Sequence, residues 1–157
     1  TGAYLLAATY TDGGADSLPP LSRRELLVLR HPRLQAETAD LASPWARPGT
    51  WGPNRDLPVR YGLSDQAFMA YRQIDGTGLR SLRLRYLPHR GGRVSIHLDA
   101  PDGPEIGQLT LPVGPVDTWQ EARTRLRPFT GQHDLYFVFH KPGSREEIAV
   151  LDWVEFE

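Results

Sequence analysis

Three side chains in two distant parts of the sequence could hold a metal ion together. Gln35 and Glu37 lie two residues apart in LQAE, so on a β-strand both side chains point to the same face. Asp152 interrupts the apolar run IAVLDWVEF, where an unpaired buried carboxylate is costly. If the first and last strands of the domain pair, these oxygens and a few loop carbonyls form a cage suited to Ca²⁺. Alternatively, Glu37 and Asp152 pair with arginines such as Arg47 or Arg55.

Tryptophans outside the regular strands suggest a second kind of chemistry. Trp45 and Trp51 lie in the polar, proline-rich stretch 43–58, and Trp119 also lies outside the strand-like runs. A flat ring open to water can stack on the apolar face of a pyranose while the sugar hydroxyls reach polar neighbours. The alternative is that these rings close the ends of a β-sandwich.

The sequence gives no support for catalysis. It contains no GxSxG, HExxH, P-loop or dinucleotide-binding motif. The five histidines show no paired metal spacing, although His97 and His140 lie in predicted strands and could approach each other. A glycosidase needs a carboxylate with a raised pKa. The candidates lie in turn-like or highly polar contexts that give no reason for such a shift: Glu105, Asp117, Glu121, Glu146 and Glu147.

Composition and charge exclude several classes of partner. The 157 residues include 18 Lys and Arg and 19 Asp and Glu, a net charge of -1, so we expect no nucleic-acid partner. The absence of cysteine excludes disulfides and thiolate metal sites. No stretch approaches the roughly 18 apolar residues of a membrane span, so we expect no membrane partner. The start, TGAYLLAATYTDGG, has no basic region before an apolar one, and we expect it to lie inside a longer protein.

Short apolar runs separated by turn residues predict an all-β fold. The 15 glycines and 14 prolines are spread among these runs. Apolar and polar residues alternate in SLRLRYL (81–87) and VSIHL (94–98), so each strand should bury one face. DLYFVF is apolar on both faces and predicts a central strand. A two-sheet antiparallel β-sandwich, arranged as a jelly roll, fits this pattern.

The chain divides into a short arm and a main domain. AYLLAATYT (3–11) and RELLVLR (24–30) suit two strands, and we interpret residues 1–32 as a β-hairpin, an arm or the end of a preceding domain. Residues 33–157 then form the sandwich. The stretch 43–58 is expected to be a long loop, which in a compact domain is usually functional or held by other groups.

Five blocks of residues 33–157 resemble the family 6 carbohydrate-binding modules. In order they are HPRLQAETAD, YRQIDGTGLRSLRLRYL, GGRVSIHLDAPDGPEIGQLTLP, TWQEARTRLRPFTGQHDLYFVF and VLDWVEFE. The resemblance implies a β-jelly roll that binds a poly- or oligosaccharide and performs no catalysis. It also implies a secreted, extracellular or periplasmic protein, in which other domains of the same polypeptide are partners.

The resemblance assigns ligands to a structural calcium. In the family the ion is held by the "xAE" block of the first strand, by the aspartate of the closing "LDW" block and by backbone carbonyls. Gln35, Glu37 and Asp152 occupy the matching positions, which favours calcium over the arginine pairs.

The resemblance also implies a sugar site among loops at one end of the sandwich, where two aromatic rings hold one sugar. Trp119 matches one ring, and Tyr61 or, alternatively, Phe68 matches the other. Val150 stands where the family commonly has an asparagine, and Ala122 replaces a second aromatic residue. Because valine offers no hydrogen bond, the resemblance implies an altered or weakened site.

A second sugar-binding location in this family is the concave face of one sheet. Outward-facing Arg83, Arg85 and His97 would make such a face suited to an acidic or hydroxyl-rich glycan, or they are ordinary solvated residues. Our main hypothesis is a sugar-binding module. The alternative is an accessory β-sandwich domain without sugar binding, serving in packing or protein interaction.

Overall fold

Antiparallel strands make up most of the computed structural model, which describes residues 3–14, 19–115 and 117–157. Within these ranges there is one short 3₁₀ turn, Ala36–Thr38, and no helix long and apolar enough to cross a membrane. The strands in chain order are β1 (Ala3–Thr11), β2 (Ser22–Arg30), β3 (Arg33–Gln35), β4 (Leu41–Ala42), β5 (Arg47–Trp51), β6 (Leu57–Leu63), β7 (Phe68–Asp75), β8 (Ser81–Pro88), β9 (Gly92–Leu98), β10 (Glu105–Leu111), β11 (Gln120–Arg125), β12 (Gln132–His140) and β13 (Ala149–Phe156).

Residues 1–31 and 32–157 form two compact units. In the first unit, β1 and β2 pair as an antiparallel hairpin with Ala3 opposite Arg30 and Thr11 opposite Ser22. That residues 1–32 end a preceding domain stays a prediction.

The second unit is a two-sheet sandwich, as predicted. One sheet has the order β10-β9-β12-β7-β4, and the other has the order β11-β8-β13-β6-β5, with β3 also paired to β13. Every strand pair is antiparallel. The predicted central position of DLYFVF is confirmed, because β12 lies in the middle of the five-stranded sheet.

The core lies between the two sheets and is built from alternating residues. Leu82 and Leu84 of β8 are fully buried, as are Val94 and Ile96 of β9, so the predicted alternation is confirmed for these positions. The inner faces of β12 and β13 complete the same apolar cluster. Burial of this surface is the main stabilising contribution to the sandwich.

The predicted long loop over 43–58 is wrong in part. Within it, β5 pairs with β6, with Arg47 opposite Tyr61 and Trp51 opposite Leu57. Pro48 is tolerated because β5 lies at the edge of its sheet, where a missing N–H leaves no interior ladder bond unmade. The proline suggested a loop, whereas an edge strand accommodates it.

The first and last strands of the sandwich pair, which was the condition for bringing Gln35 and Asp152 together. Gln35 of β3 lies opposite Trp153 of β13. The pairing of β13 with β8 shifts register between Leu151 and Trp153, which makes Asp152 part of a β-bulge. The bulge follows Val150, so both residues lie at the irregular part of the strand.

Candidate functional site

A buried apolar cluster, separate from the main core, lies on the six-stranded sheet. Its members are Val59, Leu87 and Val150, and each is fully buried. Val150 lies directly opposite Leu87 across the β13–β8 pair. The residues that pack on this cluster are partly exposed: Trp51, Leu57, Tyr61 and Trp119. We call the rings of Trp51, Tyr61 and Trp119, with the cluster beneath them, the aromatic platform.

Two rings of the platform come from elements at opposite sides of the cluster. Trp119 directly precedes β11, and Tyr61 lies on β6. The strand order β11-β8-β13-β6 places three interstrand spacings between them, about 14 Å along the sheet. Both rings contact the same cluster, so the structure brings together the Trp119 and Tyr61 that the sequence assigned to one sugar site.

The Tyr61 ring is held by its neighbours. Its hydroxyl donates to the carbonyl oxygen of Thr50 at 2.7 Å, and its ring centroid lies 6.3 Å from that of Trp51, with the planes tilted by 45°. Burial, with a contribution from Glu147, raises the pKa of Tyr61, so the phenol stays protonated at neutral pH. The hydroxyl therefore keeps lone pairs that can accept from a ligand.

A cleft of about 780 Å³ adjoins Trp51 and Tyr61 at the β5–β6 turn. Its lining combines two rings, a guanidinium and backbone groups, namely Gly49, Thr50, Trp51, Gly52, Pro53, Arg55 and Tyr61. Sugar sites commonly combine apolar surface with a few polar groups in this way.

Arg85 covers part of the platform. Its guanidinium carbon lies 4.8 Å from the Trp119 ring centroid, within the range of a cation–π contact. Nη1 of Arg85 donates to Oδ2 of Asp152 at 2.8 Å. Burial raises the pKa of Asp152 even though Arg85 and Arg33 act to lower it. Asp152 therefore orients Arg85 beside the Trp119 ring.

Phe68, the alternative second ring, lies elsewhere. It is on β7 of the five-stranded sheet, and its ring centroid is 5.7 Å from that of Tyr136. The structure therefore does not bring Phe68 to Trp119, and the pairing of Trp119 with Tyr61 is favoured.

The other predicted loop tryptophans have separate environments. Trp51 belongs to the platform. Trp45 is 48% exposed and lines a second cleft of about 910 Å³, with Arg47, Arg145 and Glu147. Its ring therefore lies outside the aromatic platform.

The proposed basic face of Arg83, Arg85 and His97 is not formed. Arg83 and Arg85 are on β8 of the six-stranded sheet, whereas His97 is on β9 of the five-stranded sheet. Alternation within each strand predicted that the side chains point outward, but it could not tell which sheet each strand joins. Arg83 is also neutralised by carboxylates, namely Glu121, Glu155 and Glu157.

His97 and His140 approach each other through Ser95. Nε2 of His97 is 2.7 Å and Nε2 of His140 is 2.6 Å from Oγ of Ser95. Nδ1 of His97 is 2.7 Å from the carbonyl oxygen of Gly103, which can only accept, so Nδ1 donates in that contact. Each contact is thus satisfied without a metal, and the described residues contain no group of three or more His, Cys, Asp and Glu that could hold one.

The residues predicted to hold calcium have other partners in the structure. The carboxylate of Asp152 faces Arg85, and the groups that act on its pKa are its burial, Arg85 and Arg33. Glu37 instead acts on Arg60. The backbone oxygen of Gln35 accepts from the Tyr71 hydroxyl at 2.9 Å. Arginines and a tyrosine thus engage atoms of all three residues, and calcium binding stays a prediction.

Comparison with known proteins places this geometry in a family. A sequence model described as carbohydrate binding module (family 6) matches residues 62–157. The chain belongs to the family 6 carbohydrate-binding modules. Among solved structures, a family 6 module from Clostridium cellulolyticum in complex with xylose is 25% identical, with a TM-score of 0.72 over 81% of this chain and 97% of that one. A β-1,3-glucan-binding family 6 module from Bacillus halodurans is also 25% identical, with a TM-score of 0.70 over 81% of this chain and 96% of that one.

Sequence relatives of this family 6 module include much larger enzymes. An arabinoxylan arabinofuranohydrolase from Paenibacillus polymyxa is 31% identical over 105 residues, which are 65% of this chain and 16% of the enzyme. The chain therefore spans only a small part of that relative's length. Family 6 modules bind carbohydrate without catalysing a reaction, which agrees with the absence of catalytic motifs in this sequence.

Sequence reasoning missed several residues of the platform in this family 6 module. Alternation puts Leu87 on the outward face of its strand with Arg85. A single apolar residue there gave no sign that it joins Val59 and Val150 in a second cluster, because that depends on how the strands pair. Arg85 was recognised as outward-facing, but its contact with Trp119 depends on the register of β11 against β8.

Proposed function

We propose that this module binds a poly- or oligosaccharide on the aromatic platform, with Trp119 and Tyr61 contacting the sugar. The observation that carries the proposal is the packing of these two rings on one buried cluster across four adjacent strands. The axial C–H groups of a pyranose pack well on such π-faces. The cluster beneath the rings keeps them in place, so little rotational freedom is lost on binding.

Polar groups at the edges of the platform supply the hydrogen bonds. The guanidinium of Arg85 donates to Asp152 and to no other residue in the described part of the chain, so further N–H groups are available for sugar hydroxyls. The Tyr61 hydroxyl can accept, and Arg55 offers donors in the adjoining cleft. Arg85 thus supplies hydrogen bonds that orient the sugar, which the valine side chain at position 150 cannot form.

The sugars to consider first are those of the relatives. One solved neighbour is in complex with xylose, another binds β-1,3-glucan, and the curated relative is an arabinoxylan arabinofuranohydrolase. We propose neutral plant-type polysaccharides of these classes as ligands. We also propose that the module acts outside the cell as one domain of a larger polypeptide.

Affinity electrophoresis tests the proposal directly. The purified chain is run through native gels containing xylan, arabinoxylan or β-1,3-glucan and through a gel without polysaccharide. Retardation in at least one of the three gels supports sugar binding. Migration equal to the polysaccharide-free gel in all three contradicts it.

A second candidate function is an accessory domain for packing or protein interaction. Val150 favours it, because a fully buried valine in the floor offers no hydrogen bond to a sugar. Arg85, which covers part of the Trp119 ring, also favours it. An array of neutral and acidic glycans that stays blank, combined with capture of a neighbouring domain of the same polypeptide, would select this function.

A further inference from the structure

Arg60 is a buried cation surrounded by backbone oxygens. It is 4% exposed and lies on β6 opposite Leu151 of β13. Its guanidinium donates from three nitrogens to three carbonyl oxygens: Nε to Ala36 at 2.6 Å, Nη1 to Ala46 at 2.7 Å and Nη2 to Glu37 at 2.8 Å. Two of these carbonyls belong to the 3₁₀ turn after β3, and the third directly precedes β5. Arg60 therefore joins two separate segments to the sheet.

The charge of Arg60 is compensated locally. A buried guanidinium is costly unless charge-assisted hydrogen bonds and a counter-charge offset its lost hydration. Burial lowers the pKa of Arg60, and Tyr71 and Glu37 act in the opposite direction. Oε2 of Glu37 is buried and accepts no hydrogen bond within the described residues. Glu37 thus acts as a nearby counter-charge of the guanidinium.

These oxygens are of the type that Ca²⁺ prefers. Backbone carbonyls and a carboxylate are hard ligands, and a loop presenting several of them commonly requires a cation. Here the guanidinium of Arg60 already donates a hydrogen bond to each of the three carbonyl oxygens. A divalent ion at the same oxygens would lie within a few ångströms of this positive charge and be repelled by it. Oδ2 of Asp152 is likewise engaged by a guanidinium, that of Arg85.

We propose that Arg60 is a built-in cation that takes the place of a structural calcium ion in this chain. The guanidinium fastens the turn at 36–38 and the segment before β5, where a bound metal would otherwise order them. Because the planar fork of arginine matches three carbonyls at once, lysine cannot reproduce all the contacts. The sandwich then folds and melts independently of divalent metal.

The wild-type chain provides the first test. Its melting temperature is measured after exhaustive dialysis against EGTA and again with 5 mM Ca²⁺, and binding of Tb³⁺, a luminescent calcium analogue, is followed by tryptophan-sensitised emission. We expect the two melting temperatures to agree and no saturable Tb³⁺ emission. A melting temperature that falls in EGTA and recovers with Ca²⁺, or saturable Tb³⁺ binding that Ca²⁺ displaces, overturns the proposal.

Variants test the role of Arg60 itself. Arg60→Met leaves the carbonyls and Glu37 without a cation, and we expect its melting temperature to fall by roughly 10 °C or the variant not to fold. The melting temperature of Arg60→Lys should lie between those of Arg60→Met and wild type. Arg47→Met is the matched control, because Arg47 is an exposed arginine on the adjacent β5, and it should melt as wild type does. An Arg60→Met variant that melts together with Arg47→Met contradicts the proposal.

Discussion

The guanidinium of Arg85 lies over the indole ring of Trp119, with its central carbon 4.8 Å from the ring centroid. Arg85 is in turn fixed by Asp152, whose side chain is 2% exposed. The acidic residue that looked misplaced in an apolar strand therefore has a cationic partner, and that partner touches the proposed sugar-binding ring. Asp152 is a positioning residue for Arg85 in this account.

Replacing Asp152 separates its effect on stability from its effect on binding. Burial raises the folded-state pKa of Asp152, so between the ordinary value and this raised value the folded chain holds a proton that the unfolded chain has lost. Its ionisation therefore costs stability as pH rises through that window, and the cost persists at pH 7. We predict that Asp152→Asn melts no lower than wild type at pH 7 but binds sugar more weakly, because a neutral amide oxygen holds the Arg85 guanidinium less strongly than a carboxylate does. Calorimetric melting checks the stability prediction, and calorimetric titration with sugar checks the binding prediction. An Asp152→Asn variant that melts far below wild type contradicts the stability prediction.

Introducing a polar group into the platform floor tests where the sugar lies. Val150→Asn places an amide among Val59 and Leu87, and leaving it without a hydrogen-bond partner costs about 1–3 kcal/mol. We predict a lower melting temperature together with tighter sugar binding, since a sugar above the floor would pair with the amide. Val150→Thr is a second variant, which introduces a hydroxyl group with nearly the same side-chain volume as valine. Unchanged affinity in both would mean that the sugar does not contact position 150.

The partial burial of His140 predicts a pH dependence of stability. Burial, with a contribution from Arg93, lowers the pKa of His140 below its ordinary value. As pH falls below about 6.5, the unfolded chain takes up this proton before the folded chain does, so the folded state loses stability. We predict that His140→Gln shows a smaller decrease in melting temperature between pH 7.5 and pH 5 than wild type. If the melting temperatures of the two proteins decrease equally between pH 7.5 and pH 5, His140 is not the cause of the stability loss.

Alternation along the strands predicted the fold well, because burial of one face is a local property of each strand. The central position of β12 followed from its two apolar faces. The pairing of β3 with β13 was only a condition of the predicted metal site, because nothing in the alternation of either strand indicates its neighbour. The grouping of His97 with Arg83 failed because the assignment of strands to sheets depends on long-range pairing. Alternation does not encode such pairing.

The candidate site was only partly accessible from the sequence. Trp119 and Tyr61 could be named from their positions in the matching blocks, and the structure places both on one cluster. The partner of Asp152 was sought among Arg47 and Arg55, whereas β-sheet register brings Arg85 to it. Arg60 gave no signal in the sequence, since its three partners are backbone carbonyls that carry no residue-specific pattern.

The most direct test of the account is isothermal titration of wild type, Trp119→Ala and Trp45→Ala with the polysaccharide that retards the chain most in the gels. Trp45 is the matched control, an exposed tryptophan that lines the other cleft. We predict that Trp119→Ala loses at least about tenfold in affinity, about 1.4 kcal/mol. It should still melt cooperatively, at a lower temperature because the ring no longer covers the platform floor, while Trp45→Ala binds as wild type does. Wild-type affinity in Trp119→Ala, or loss of binding in Trp45→Ala alone, would contradict sugar binding on the aromatic platform.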